Sequence, residues 1–452
     1  MARISEDAPI EARGTLVPLA VQRFLHTEVA GGVVLLAAAL VALVWANSPW
    51  RAGYESLWAT RVGVRIGPLE IDEDLRHFVN DALMAVFFFV VGLEIKRELV
   101  AGELREWRNA ALPTFAALGG MVVPALLFLA LNAGGPGSRG WGIPMATDIA
   151  FAIGALALLG RRVPSSLKLF LLTLAIVDDL GAIIVIAIFY TGDIDLTALA
   201  LAGAGIAAIV GLRVAGVRSM PVYVLLGVAV WFGTFESGVH ATIAGAALGL
   251  LAPARPLAAA AVAKQWAVDL SDEPGPAELR TMTRLANRSM SVAERLQHDL
   301  HPATSFLIIP LFALANAGVT LRREAFEVPG GGRLAAGIAI GLVVGKTLGV
   351  TGAAWLAIRA RLGVLPSGTT WRQMVGVSAI AGIGFTVSLF ITELAFAGSP
   401  LQGVSKVAIL VASAVAAVCG VAILRSAPPP GDPGAAEERA VHPAGTSSSD
   451  TR

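Results

Sequence analysis

A chain of 452 residues that is 56% hydrophobic and only 15% charged, with a mean hydropathy of +0.72, has more apolar surface than a water-soluble core could bury. Its net charge of +1 leaves no electrostatic footprint for nucleic acid, and its one cysteine, Cys419, excludes an intrachain disulfide. The composition points to a polytopic membrane protein.

Windows of about 20 residues, the length that crosses roughly 30 Å of hydrocarbon, pick out twelve apolar runs. They cover 28–46, 77–99, 110–131, 141–159, 166–190, 196–212, 220–235, 238–252, 302–318, 335–358, 373–397 and 404–425. The predicted organisation is an N-terminal segment 1–27, a membrane domain 28–425 and a Pro/Gly/Ser-rich tail 426–452, with 253–300 as the long charged loop inside the domain. No cleavable leader precedes the first run, which reads as an uncleaved span. Lys and Arg concentrate at both termini and in the even-numbered connections, so both termini are expected on the cytoplasmic side.

After the first run, RVGVRIGPLEI at 61–71 alternates β-branched and polar residues around two glycines and predicts a hairpin, whose edge could pair with a second subunit. The end of the second run crowds Glu94, Lys96, Arg97, Glu98, Glu103 and Arg105. This is either a solvated helix end or a charged funnel that gathers cations and senses pH. In the fourth run Pro144 removes a backbone donor just ahead of Thr147 and Asp148, and an interrupted helix is expected there.

The fifth run, LFLLTLAIVDDLGAIIVIAIFY, holds the tandem pair Asp178 and Asp179. One Asp at mid-membrane costs roughly 2.5 to 3.5 kcal/mol, and the pair adds mutual repulsion. Adjacent helical residues point about 100° apart, so one can meet a partner helix while its neighbour faces a cavity. His240 in SGVHAT, with His298 and His301 in QHDLHP, titrates near neutrality and could tune a pH response, or could simply be hydrogen-bonded in place.

Lys346 in the tenth run has Gly341, Gly345 and Gly349 at helix-packing spacing, and pairing it with one of the tandem aspartates is the cheapest arrangement. The eleventh run clusters Gly376, Gly382 and Gly384 ahead of Thr386 and Ser388 and looks interrupted as well. Glu393, near its end, reads as a snorkelling side chain or a helix–helix hydrogen bond. Two interrupted apolar segments in corresponding places of two halves point to a transport site near the midplane.

Asp148, Asp178 and Asp179 with Lys346 amount to two negative charges when all are ionised, which asks for cations. Hard carboxylate and hydroxyl oxygens suit Na⁺ or Li⁺, and the same carboxylates accept protons when burial disfavours their charge. Sodium and protons would then compete for one place. The chain contains no nucleophile–base constellation, no Cys/His metal cluster and no phosphate-cradling loop, so it reads as a transporter without cofactors rather than an enzyme.

Together FVVGLEIKREL, ATDIAFAIGALALLG, LAIVDDLGAII, SGVHAT, LFALANAG and AGIGFT resemble the NhaA family of sodium/proton antiporters, across about residues 20–425. The resemblance implies an all-α fold of twelve helices, inverted repeats, two crossed unwound chains, and a bacterial inner-membrane homodimer joined through the hairpin. It makes Asp179 the principal ion and proton carboxylate, with Asp178 beside it and paired to Lys346 in one state. Thr147 and Asp148 would line the crossing, Asp148 offsetting the positive half-helix ends. Glu94, Arg97 and Glu98 match a cytoplasmic pH-responsive cluster, and Asp81 a carboxylate nearer the periplasm. Gln297 is a departure, because members often carry Glu before the histidine there.

The expected mechanism is electrogenic alternating access, with protons displacing Na⁺ outside and Na⁺ displacing protons inside. Two other readings remain open from the residues alone. One is a sodium-coupled symporter for an organic anion, and the other a pH sensor whose buried charges only switch conformation.

Overall fold

The computed structural model describes residues 19–66, 69–192, 194–217, 219–255, 290–320 and 327–427. Most of the predicted segment 1–27, most of the 253–300 loop and the tail beyond residue 427 lie outside the described residues. Helix α1 (Leu19–Ala46) leads through the short α2 (Arg51–Trp58) into a hairpin of β1 (Arg61–Ile66) and β2 (Leu69–Asp74), antiparallel with Arg61 opposite Asp74 and Ile66 opposite Leu69. The hairpin thus runs three residues beyond the predicted 71, until the Asp74 side chain accepts from the His77 N–H at 2.8 Å and starts a helix.

That helix is α3 (Leu75–Ala101), followed by α4 (Trp107–Asn132), a 3₁₀ stretch Ser138–Met145, and α5 (Ile149–Ala157). Then come α6 (Ser165–Phe189), α7 (Leu196–Val214), α8 (Met220–Glu236) and α9 (Ala241–Leu251). Asp195 caps α7 by accepting from the Thr197 and Ala198 N–H groups at 2.7 and 3.1 Å. Beyond the long loop, α10 (Val292–Ala303) continues through a π-turn, Thr304–Ile308, into α11 (Ile309–Asn316).

The chain ends with α12 (Gly331–Arg359), α13 (Trp371–Ile380), α14 (Phe385–Phe396) and α15 (Leu401–Ser426). The loop predicted to reach residue 300 in fact stops near 290, because Ser291 accepts from the Glu294 N–H and nucleates α10 ahead of the apolar run. Among the described residues eight helices are long and apolar enough to cross a membrane. A ninth span results if α13 and α14, bent by 44° at residues 381–384, are one.

Packing follows the small residues. Helix α3 lies along α9, and α12 along α4. A methyl group on Gly349 would come within 2.2 Å of the Gly119 carbonyl oxygen, so the glycines predicted for close packing in α12 are what lets α4 approach. Two apolar clusters sit side by side. One is built around Phe88, Phe312 and Phe390, and the other around Leu171, Val350 and Met374.

Candidate ion site at two helix interruptions

Two chain breaks meet inside the bundle. Ala146 to Asp148 run in extended conformation between the 3₁₀ stretch and α5, and residues 381–384 interrupt the α13–α14 pair. The breaks are stitched directly together. The Asp148 N–H donates to the Ile383 carbonyl at 2.6 Å, and the Thr147 hydroxyl lies 2.9 Å from the Ala381 carbonyl. On one side of the junction Ser388 Oγ donates to the Ile143 carbonyl at 2.7 Å. Gly382 is required where it stands, since a Cβ there would fall 2.2 Å from the Leu342 carbonyl oxygen, a backbone atom that cannot move aside.

Unwinding leaves helix ends whose N–H groups have no intrahelical acceptor. Asp148 serves two of them. Its Oδ1 accepts from the Phe151 N–H of α5 at 3.1 Å and its Oδ2 from the Thr386 N–H of α14 at 3.0 Å. One carboxylate thereby offsets the positive ends of two half-helices that are far apart in sequence.

Beside this junction α6 presents the tandem aspartates, both almost fully buried. Asp178 Oδ2 accepts from Lys346 Nζ at 2.7 Å and lies 2.7 Å from Thr147 Oγ1. Lys346, which is 0% exposed, also donates to the Met145 carbonyl, freed by the first break. A π-turn, Gly341–Gly345, immediately precedes Lys346 in α12, and such turns re-aim the residues that follow them.

Asp179 points elsewhere. It lines a cavity of about 60 Å³ together with Glu94, Thr147, Asp148, His301 and Thr386, and its Oδ1 is buried without a hydrogen-bond partner. An ionised carboxyl oxygen kept from water and from donors is costly, so this position favours a cation or a proton from outside the protein. Among the described residues no three His, Cys, Asp or Glu side chains converge on one point, so the three aspartates do not form a common cage in this conformation.

The remaining predicted residues are distributed around this centre. Glu94 lines the cavity, whereas Arg97 and Glu98, one turn on, do not and pair with each other at 2.9 Å. Glu98 also accepts from the Glu103 N–H at 3.1 Å. His298 is exposed, and His301 is the histidine that reaches the cavity; it is the one adjoining Pro302 and the apolar run, a signal present in the sequence. His240 does not join the site; its Nε2 lies 2.8 Å from the Tyr190 carbonyl at the other end of α6.

Asp81 sits in a π-turn, Val79–Leu83, within α3 and does not line the cavity; its carbonyl accepts from Trp231 Nε1 at 3.2 Å. Glu393 takes the second of its two expected forms, a contact between helices, because it is held by Lys406 Nζ and Gln402 Nε2 of α15, the latter at 2.5 Å. Lys406 itself was missed in the sequence, where its place five residues into α15 reads as the edge of a span.

A family model described as Na+/H+ antiporter 1 matches residues 22–424, nearly the whole described chain. The chain belongs to that family. Among its relatives is Na(+)/H(+) antiporter NhaA 2 of Sorangium cellulosum, 46% identical over 428 residues, covering 92% of this chain and 91% of the relative. Na(+)/H(+) antiporter NhaA 3 of Frankia alni is 46% identical over 407 residues, 90% of this chain and 88% of its own. Na(+)/H(+) antiporter NhaA of Escherichia coli O1:K1 is likewise 46% identical over 407 residues, 89% and 97% of the two chains. The matched range holds both helix breaks, both tandem aspartates and Lys346, so the site described above is built from the part of the chain shared with this family.

Proposed function

We propose that this protein is a Na⁺/H⁺ antiporter, also accepting Li⁺, that exports sodium in exchange for protons by alternating access. The observation that carries the reading is the split between neighbours. Asp178 is tied to Lys346 and Thr147, while Asp179 lines a cavity shared with Glu94 and His301 and keeps one carboxyl oxygen without a hydrogen-bond partner.

In this mechanism Asp179 takes Na⁺ or a proton, Asp178 joins it when Lys346 lets go, and Thr147 supplies a neutral oxygen ligand. Asp148 holds the two half-helices together while the ion passes. Because the lysine and the cation compete for Asp178, sodium entry releases the Lys346 ammonium from that carboxylate and sends out the protons held by Asp179 and by Lys346. Return of those protons expels the sodium and restores the pair. More than one proton per sodium makes the exchange electrogenic.

Glu94, Arg97 and Glu98, with His298 and His240, are the proposed pH-responsive groups, and Asp81 a carboxylate on the opposite passage. The wider reading is an all-α protein of twelve spans with inverted repeats and two crossed discontinuous helices. The membrane domain is 28–425, carrying 253–300 as a cytoplasmic loop, with 1–27 and 426–452 as cytoplasmic ends. It would reside in the bacterial inner membrane as a homodimer joined through hairpin 61–71, and need no cofactor beyond the transported ions.

The test is proton movement in proteoliposomes on addition of NaCl alone. Exchange is expected in the unaltered protein and reduction to the level of empty liposomes in Asp179→Asn. Undiminished Na⁺-dependent proton flux in that variant would remove Asp179 from the mechanism.

A further inference from the structure

At the end of the bundle remote from Arg97, a second cavity of about 180 Å³ opens between the end of α1, α2, the segment after α11 and the start of α15. Its walls carry Tyr54, Glu55, Arg76, Thr320, Gln402 and Lys406. The charges there are not all paired. Lys406 is matched by Glu393, and Glu55 by Arg51 at 2.7 Å. Nearby Asp74 is engaged with the ring and the backbone N–H of His77 at 2.9 and 2.8 Å.

Arg76 has no such match: among the described residues it makes no ion pair, and its Nε is buried without a hydrogen-bond partner. The Tyr54 hydroxyl, in hydrogen-bond contact with the Arg76 side chain, donates to the Leu314 carbonyl at 2.8 Å and so offers Arg76 a neutral partner but no negative charge. Arg76 is half-buried, and its enclosed Nε is a donor that is costly to leave unused unless something accepts from it.

We infer that this cavity is an oxyanion site, in which Arg76 and Lys406 grip a phosphate group. The planar fork of Arg76 suits two oxygens of a tetrahedral anion, and Lys406 has ammonium protons beyond the one given to Glu393. The second N–H of the Gln402 amide and the Thr320 hydroxyl are the neutral donors on the same wall. The volume exceeds that of a single halide and accommodates a phosphate with a few waters, at roughly 30 Å³ per water.

Bound there, the anion ties the first turn of α3 to the first turns of α15 and the end of α1. The phosphate can come from solution or from the headgroup of a lipid at the membrane edge. The inference stands independently of the exchange mechanism.

Thermal unfolding in nanodiscs tests it, with inorganic phosphate titrated against chloride at constant ionic strength. In phosphatidylcholine nanodiscs, phosphate is expected to raise the midpoint saturably and chloride not. Arg76→Gln should increase the half-saturating phosphate concentration at least about tenfold, and Arg76→Lys by less. Comparable midpoints of the three proteins in chloride establish that the variants fold.

If a lipid headgroup is the occupant, nanodiscs containing phosphatidylglycerol raise the midpoint of the unaltered protein over Arg76→Gln and abolish the further effect of phosphate. If free phosphate is the occupant, its effect persists there. An equal response to phosphate in the unaltered protein and Arg76→Gln, or no response of either in phosphatidylcholine, overturns the inference.

Discussion

Among the described residues there are two buried lysine–carboxylate pairs, and they differ in what surrounds them. Lys346 and Asp178 are wholly enclosed at the junction of two helix breaks, where a freed carbonyl and a threonine hydroxyl share in the pair. Lys406 and Glu393 join α15 to α14 near their connecting turn, with Gln402 completing the carboxylate and a wide cavity alongside. In the first pair the lysine is shared between Asp178 and the Met145 carbonyl, and the cavity lined by Asp179 lies next to it. In the second the carboxylate is shared between Lys406 and Gln402. On the proposed mechanism, identical chemistry is an exchangeable contact in one place and a strut in another, and local unwinding of the backbone makes the difference.

The comparison can be broken most sharply at Lys346. Lys346→Ala strands an enclosed carboxylate, and the expected loss is about 3–5 kcal/mol of stability together with loss of Na⁺-dependent proton flux. The double variant Lys346→Met, Asp178→Asn should recover most of the unfolding midpoint without recovering flux. Recovery of both would mean that the pair is only structural.

Lys406→Ala should cost less, on the order of 1–3 kcal/mol, because Glu393 keeps Gln402 and has the cavity beside it. A loss as large as that of Lys346→Ala would erase the distinction between the two pairs. Asp148→Asn leaves one acceptor oxygen where two backbone N–H groups now bond, and removes the charge at two helix ends. A cost of roughly 1–3 kcal/mol in thermal or denaturant unfolding is expected.

The smallest effect lies outside the membrane segments, at Asp74. Burial pushes its carboxyl upward, but the backbone N–H and ring of His77 outweigh this and hold it below the usual carboxylate range. A group depressed in the folded state contributes above its unfolded value of about 3.9 and loses that contribution as pH falls below it. Asp74→Ala should thus cost about 1 kcal/mol at neutral pH, the size of a helix cap, and the difference from the unaltered protein should close under acid. A difference that persists at pH 2 would show that the cap is not the source.

Much of this was open to reading in the chain. Pro144 and the glycine cluster at 382 and 384 announce interruptions because their backbone chemistry disfavours continued helix whatever surrounds it. Tandem aspartates in an apolar run announce a site because hydrocarbon penalises charge regardless of fold. The glycines of α12 announce close packing, and the hairpin its alternation. These are local costs, and local sequence determines them.

Partner choice was not open to the same reading. Nothing in the order VDD says which carboxylate meets Lys346, since the two point about 100° apart and only the placement of α12 decides between them. That Asp148 caps α14 as well as α5, that His301 rather than His298 reaches the cavity, and that Glu393 and Lys406 neutralise each other while Arg76 stays unmatched are outcomes of where distant segments come to rest. A buried charge declares in sequence that it needs a counterpart. Which counterpart it receives depends on three-dimensional distance, because the low dielectric that makes the need urgent acts through space and not along the chain.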